Sequence, residues 1–376
     1  MSVTDRAVLN VNGKPFDKGW DEIRVSSSMD ALSITFDFTC TQQRPFNRAE
    51  WEIQMGSVCS VSMGGQLLAT GYIEDIDIDY NATSHTVHVS GRDKLADIVD
   101  SASDGTVLHW KASSARTIIA ALVKPFGITL VVDPKVKALM NEAISPQTLQ
   151  GGDGVFDIIM KILKLQGTVG IAMADGNLLV TEAGAYNGKE YRATDKIESG
   201  VNVIRGALKQ SDKDRFQYYF TKGYSESIDT AAGKHLSYFD KFKDDGIRRF
   251  RAMALNVETA GDFKSGKSRA KWEAKYRAGK SRDYGYSVQG WKQKSGALWD
   301  INMLVEVTDE MFGLIPGGID QTLLINSIEF VQSASAGTLS NMKLVSPEKW
   351  KAQAKLDSIK AMSDGTTSAS SYKLGS

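Results

Sequence analysis

Between Leu32 and Cys40 the chain alternates strictly: Leu32, Ile34, Phe36, Phe38 and Cys40 are interleaved with Ser33, Thr35, Asp37 and Thr39. A period of two sends successive side chains to opposite faces, so this run predicts a strand with one face buried. Val58-Cys59-Ser60-Val61-Ser62-Met63 predicts another, and Gly64-Gly65 then supplies a hairpin turn into Gln66-Leu67-Leu68. Alternation resumes from Tyr72 to Tyr80 and from His85 to Val89. Strands this short, spaced roughly ten residues apart, predict a small barrel or sandwich.

The texture changes near residue 106. Ser113-Ser114 can cap a helix over Ala115 to Val123, closed by Pro125 and Gly127, and Ile128 to Val132 follows as a strand. Asp153 is placed to cap a second helix, Val155 to Leu165. Thr168 to Met173 and Leu178 to Thr181 flank the turn Asp175-Gly176-Asn177, completing an α+β module. Strand patterns return at Val201 to Leu208, Phe216 to Gly223, Tyr284 to Trp291, Asn302 to Val307 and Thr322 to Phe330. The predicted fold class is therefore mainly β with α+β modules: two similar small antiparallel β-barrels plus inserted α+β domains. The first barrel spans 1–105 and the α+β module 106–195. The second barrel is discontinuous, 196–225 and 284–349. A polar segment and basic helix occupy 226–283, and 350–376 is a Lys-, Ser- and Gly-rich tail expected to be mobile.

The pairing of two barrels rests on a faint internal repeat. Gly71 to Lys94 can be set against Leu324 to Lys349, so that Ile73 matches Ile325, Ile76 matches Ile328 and Ile78 matches Phe330. A small polar turn follows in each, and the returning strands match Val87 and Val89 with Met342 and Leu344. The copies end in Ser90-Gly91-Arg92-Asp93-Lys94 and Ser346-Pro347-Glu348-Lys349, and upstream Val58 to Val61 stands opposite Leu304 to Val307. Any two hairpins share alternation, but not this order of elements. A symmetric trimer of such a chain presents six similar barrels in a ring, able to face a sixfold object on one side and a threefold one on the other. Edge strands would pair, or barrels pack side by side, between subunits.

Composition narrows the function classes. Lys plus Arg number 45 and Asp plus Glu 45, which removes any global electrostatic case for binding nucleic acid or an anionic membrane. Glycine is plentiful at 34 and proline scarce at 7, as suits strands joined by tight turns. Cys40 and Cys59 lie in apolar strands and are expected as buried thiols. No basic start leads into an apolar core, and no apolar run approaches the roughly 20 residues that span a bilayer, so a soluble protein made in a cytoplasm is expected.

Candidate chemistry is sparse. His85 and His88, three apart on a strand, point to opposite faces and cannot share a metal, and neither has partners at ligand spacing. No nucleophile-elbow, H-E-x-x-H or phosphate-loop pattern occurs. Asp75, Asp77 and Asp79 form one solvated strand face. The run from Lys264 to Arg282 carries eight basic residues with Glu273 as its one acid. Its Trp272 and Tyr276 read as the aromatic edge of an amphipathic helix docked on a sheet, rather than as a nucleic-acid stripe. Arg92 is expected to pair with an acid, locally or across a subunit boundary, and Asp93 to cap the following turn. Trp291 and Trp299 flank a loop containing Gly296 and can anchor a strand pair, form a sugar platform or make a contact hot spot. Arg92, Asp93, Trp291 and Trp299 are thus framework or interface candidates, with no catalytic, metal or cofactor residue assigned.

Several stretches together resemble the baseplate hub proteins of Mu-like contractile-tailed phages. They are Val89 to Ile98, Ala270 to Val288, Gly290-Trp291, and Gly296-Ala297-Leu298-Trp299-Asp300-Ile301-Asn302, with Phe156-Asp157-Ile158-Ile159 and Asp175-Gly176-Asn177-Leu178 in the middle module. The resemblance runs from about residue 8 to 345; its strength lies in order and spacing, since no single motif is specific. It implies a homotrimer at the centre of a tail baseplate, joining the tail tube protein to a trimeric central spike protein, contacting other baseplate proteins and touching DNA only in transit. In that reading Asp75, Asp77 and Asp79 line the lumen, no cofactor is needed, and the protein resides in the virion after assembly in the host cytoplasm. A tail-tip hydrolase of cell-wall glycan with a carboxylate pair in the α+β module is the rival class. The hub of a bacterial contractile secretion spike shares the expected architecture.

Overall fold

A computed structural model describes residues 6–42, 53–103, 108–111, 113–144, 147–149, 151–225, 236–257, 266–312 and 319–350. The tail from 351 and the stretches 226–235 and 258–265 of the polar segment lie outside the described residues. Seven strands come first: β1 (Ala7–Val11), β2 (Lys14–Phe16), β3 (Glu22–Ser28), β4 (Ile34–Gln42), β5 (Val58–Met63), β6 (Gln66–Tyr80) and β7 (His85–Asp93). The middle module follows with α1 (Ala96–Asp100), β8 (Leu108–Trp110), α2 (Ala115–Val123), β9 (Leu130–Val132), α3 (Lys137–Asn141), β10 (Gln147–Leu149), α4 (Val155–Gln166), β11 (Val169–Ala172) and β12 (Leu178–Thr181). Three short strands, β13 (Ala185–Tyr186), β14 (Lys189–Glu190) and β15 (Ile197–Glu198), lead onward. They reach β16 (Val203–Gln210), β17 (Tyr218–Ser225), β18 (Leu236–Lys243) and β19 (Ala252–Val257). The rest comprises α5 (Gly266–Lys280), β20 (Arg282–Gln289), β21 (Leu304–Asp309), β22 (Ile319–Ser333) and β23 (Gly337–Val345).

The fold is mainly β, and its chief element is a 13-stranded sheet in the order β16-β20-β23-β22-β3-β4-β7-β6-β5-β1-β2, with β21 pairing β22 and β15 pairing β21. Two halves of this sheet repeat one topology. Numbered within each half by chain order, β3-β4-β7-β6-β5 and β16-β20-β23-β22-β21 both read first, second, fifth, fourth, third. Registers coincide as well. Val58 opposes Tyr72 and Leu304 opposes Leu324, the positions that the sequence repeat equates. Each half carries a bulge at the same place, Glu74 between Ile73 and Asp75, and Asn326 between Ile325 and Ser327. On the returning strands the match is displaced: Ile76 opposes Val89 and Ile328 opposes Met342, so Val89, rather than Val87, stands where Met342 does.

One apolar core runs beneath both halves and the middle module, from Leu9 and Phe38 through Ile118 and Ile162 to Leu324 and Leu344. In the module, Ser114 Oγ accepts the Thr117 amide at 3.2 Å and starts α2 as expected. By contrast, Gly154 rather than Asp153 is the N-cap of α4, with no side-chain cap bond. The hairpin turn holds, since Asp175 Oδ1 accepts the Asn177 amide at 3.0 Å while Gly176 takes a φ of 82°.

Two local expectations differ from the structure. Tyr218–Ser225, expected within the second barrel, pairs instead with β18 and β19 in a separate three-stranded sheet. On α5 the alanine register, not the aromatic edge, seats on that sheet: Ala270 and Ala274 pack against Tyr219 and Leu255. Small side chains allow the helix to approach the sheet closely. Trp272 and Tyr276 stack at 5.1 Å on the opposite side, where Lys164 of α4 lies 5.4 Å from the Trp272 ring.

Candidate functional site: a polar concave face and the joint between sheet halves

Alternation gives the large sheet one apolar and one polar face. Across β20, β23, β22 and β3 the polar residues form a continuous ladder. Ser287 Oγ donates to Asn341 Oδ1 at 2.7 Å, and Asn341 Nδ2 donates to Glu329 Oε2 at 2.9 Å. Arg24 then reaches both Glu329 at 3.4 Å and Glu22 at 2.6 Å. The face is concave: a cavity of about 470 Å³ is lined by Ser26 and Thr35 from one half and by Arg205, Ser287 and Lys343 from the other. Farther along the sheet, Asp75, Asp77 and Asp79 of β6 are exposed, as expected. Such a face is wettable and already hydrogen-bonded to itself.

The two halves meet where β22 pairs antiparallel with β3, Phe330 opposite Val25 and Glu329 opposite Ser26. Up to Leu324, β22 pairs with β21; beyond the Asn326 bulge it pairs with β3. The bulge frees Asn326 to organise the joint. Its Nδ2 donates to Asp30 Oδ2 at 2.8 Å, while its Oδ1 accepts Lys349 Nζ at 2.9 Å and Trp350 Nε1 at 3.0 Å. Burial opposes the charge on Asp30, but hydrogen bonds from Asn326 and Lys349 outweigh it and hold the carboxyl below its usual range.

At the equivalent bulge in the first half, Glu74 accepts Arg92 Nε at 2.7 Å and Nη2 at 3.0 Å. The same guanidinium contacts both carboxylate oxygens of Asp100, tying the sheet to α1. The Arg92 partner is thus local. Asp93, next along, is 1 % exposed and accepts the Ser33 hydroxyl at 2.8 Å. Burial pushes its carboxyl up to about 7, against the pull of Ser33 and of the Ile34, Leu95 and Ala96 amides. Helix α1 has Leu95 as its N-cap with no side-chain bond from that residue, and the Leu95 and Ala96 amides at its start favour the Asp93 carboxylate two residues upstream.

Trp291 and Trp299 are both buried, and Trp291 Nε1 donates to the Val331 carbonyl at 3.0 Å. The Trp299 amide donates to the Trp291 carbonyl at 3.2 Å, closing the loop between them. Buried indoles present no platform to a sugar. These two tryptophans lie on β20's exit loop and Arg92 and Asp93 on β7, so the structure brings the candidates together in pairs, not into one site. Sequence reasoning missed Asp30 and Asn326, whose only signal is long-range pairing. Among the described residues no three His, Cys, Asp or Glu side chains group as a metal site. Cys40 and Cys59 are free and buried, their thiols pushed up to about 11 and about 12 by desolvation.

Three domain families match the chain in order. Residues 6–93 match the N-terminal domain of Mu phage baseplate assembly protein GpP-like, residues 95–182 the second domain of baseplate hub protein gp44-like, and residues 263–353 the fourth domain of Mu phage baseplate assembly protein GpP. The baseplate hub protein gp44 of Escherichia phage Mu is 24% identical over 351 residues, spanning 92% of this chain and 89% of that protein. The crystal structure of the prophage MuSo2 tail protein from Shewanella oneidensis is 28% identical with a TM-score of 0.77, covering 92% of this chain and 99% of that one. A tail protein from Neisseria meningitidis shares the fold at 21% identity and a TM-score of 0.73, over 93% and 98% of the two chains. With the domain families in sequence along it and the fold of a Mu-like tail protein throughout, the chain belongs to the baseplate hub proteins of Mu-like phages.

Proposed function

We propose that this hub protein works as a homotrimer without chemistry of its own, adapting the sixfold tail tube to the threefold central spike. The observation that carries this is the duplicated unit: two halves with one strand order, one register and one bulge position, joined edge to edge in a single chain. Three such chains supply six near-equivalent units for the tube while remaining three subunits for the spike. The concave polar face supports a passage in which DNA is a traveller and not a ligand. Tube, spike and other baseplate proteins are the partners, met in the host cytoplasm during assembly. Arg92, Asp93, Trp291 and Trp299 serve as framework residues that hold the units' shape. Electron-microscopy class averages of the purified chain test this reading directly. A threefold ring showing six similar lobes around a hole is expected; isolated elongated particles at every concentration, or clearing of purified peptidoglycan, would contradict it.

A further inference from the structure

The internal joint uses one edge from each half: the outer edge of β22 beyond its bulge, and the outer edge of β3. Each half has the counterpart of the other's edge. The counterpart of β22's edge is Asp75 to Tyr80 of β6, which pairs there with β7 alone among the described residues. The counterpart of β3 is β16, which pairs with β20 alone among the described residues. Both edges are open to solvent, with Ile78 59% and Tyr80 77% exposed and β16 exposed over most of its length. An uncovered apolar edge invites pairing.

We propose that β16 of one copy of this chain adds antiparallel to the Asp75–Tyr80 edge of β6 in a second copy, in the register of the internal joint. The register follows from the pairings already described. Ile78 holds the place of Phe330, because Ile76 with Val89 corresponds to Ile328 with Met342. Leu208 holds the place of Val25, because Leu208 opposes Tyr284 as Val25 opposes Phe36. Phe330 opposes Val25, so Ile78 faces Leu208. Asp77 then faces Lys209, and Tyr80 faces Gly206, beside the Phe312 and Tyr286 rings that lie 3.3 Å and 3.6 Å from where a Cβ at Gly206 would be.

Chemistry agrees with this register at its two central pairs. The apolar pair Ile78 and Leu208 falls on the apolar face, and the charged pair Asp77 and Lys209 on the polar face. The β6 edge carries three acids, while β16 carries Arg205 and Lys209. Opposite charges placed across an antiparallel pair are favourable and like charges are not. A slip of one residue would set Asp77 against Leu208 and reverse every face. Each chain offers one edge of each kind, so the contact is head-to-tail and must close into a ring or run on as a fibre. Its likeness to the internal joint makes each chain two equivalent steps, and three chains complete six. The contact rests on the trimeric reading above and adds its register.

The test is oxidation of the full chain carrying Asp77→Cys and Lys209→Cys, followed by non-reducing electrophoresis. The native thiols are buried and poorly ionised, so they stay out of the reaction. Covalent dimers and trimers are expected from this variant. None are expected from Asp77→Cys with Leu208→Cys, whose thiols leave opposite faces. Lys209→Asp alone should raise the dissociation midpoint of the trimer at least tenfold, and adding Asp77→Lys should restore it. A trimer by mass that yields no cross-link overturns the register and leaves the trimer standing. A monomer that yields none overturns both.

Discussion

Lys349 places its Nζ 2.9 Å from Asp30 Oδ2, so a residue at the end of the second sheet half is bonded to the turn between β3 and β4 of the first. Asn326 receives the same ammonium at 2.9 Å, and the lysine is only 7% exposed. A buried cation with two oxygen partners fixes the angle between the halves, because neither partner can move away without stranding the charge. Replacing Lys349 by Ala is therefore expected to cost about 1–3 kcal/mol, with Asp30 half exposed and able to find water. Denaturant unfolding of the full chain measures this, and a loss under about 0.5 kcal/mol would show that the strand pairing alone sets the joint.

Gly91 presents a different constraint. A Cβ there would lie 2.1 Å from the Tyr72 carbonyl oxygen and 2.6 Å from the Phe36 ring, a clash with backbone that side-chain rotation cannot relieve. Gly91→Ala should destabilise the first half by about 2–4 kcal/mol, in the range of overpacked cores and strained backbone. A variant with an unchanged unfolding midpoint would mean that β6 and β7 separate more easily than their bulged pairing implies.

Asp93 should make stability depend on pH near neutrality. Its folded carboxyl is pushed up to about 7, well above the unfolded value near 3.8. A group raised on folding binds more protons when folded, so its contribution is complete below about pH 4 and is lost as pH rises through 7. The span bounds the effect at about 4 kcal/mol. Asp93→Asn removes the titration, so its stability should gain on the parent's between pH 4.5 and 8. Parallel stability curves over that range would contradict the assignment.

The three acids of β6 offer a functional test. Reversal of Asp75, Asp77 and Asp79 to Lys leaves the packed core untouched, because all three side chains are exposed. It should lower DNA delivery by assembled particles at least tenfold, through lost subunit pairing or through adhesion of DNA to the wall. Delivery at the parental level would remove these acids from both roles.

Much of this was legible in the sequence, and the misses have physical causes. Alternation located strands such as Ile34–Gln42, Val58–Met63 and Gln66–Tyr80 but not Glu22–Ser28, and matching Ile73, Ile76 and Ile78 to Ile325, Ile328 and Phe330 found the duplication. The returning strand was misaligned by two residues, because a two-residue slip keeps every side chain on its own face and leaves the pattern unchanged. Tyr218–Ser225 was assigned to the wrong sheet because its partners, Leu236–Lys243 and Ala252–Val257, lie in a stretch whose charges hide its alternation. Helix α5 was located but turned, since its alanines carry little apolar signal beside Trp272 and Tyr276. The joint of β22 with β3 links residues about 300 apart, and no local pattern announces a contact at that distance.

Mass in solution tests the central claim most directly. Light scattering of the full chain over a hundredfold range of concentration should show a stable species at three times 41.1 kDa. A mass of 41.1 kDa throughout would contradict an account in which three duplicated chains build a ring of six units.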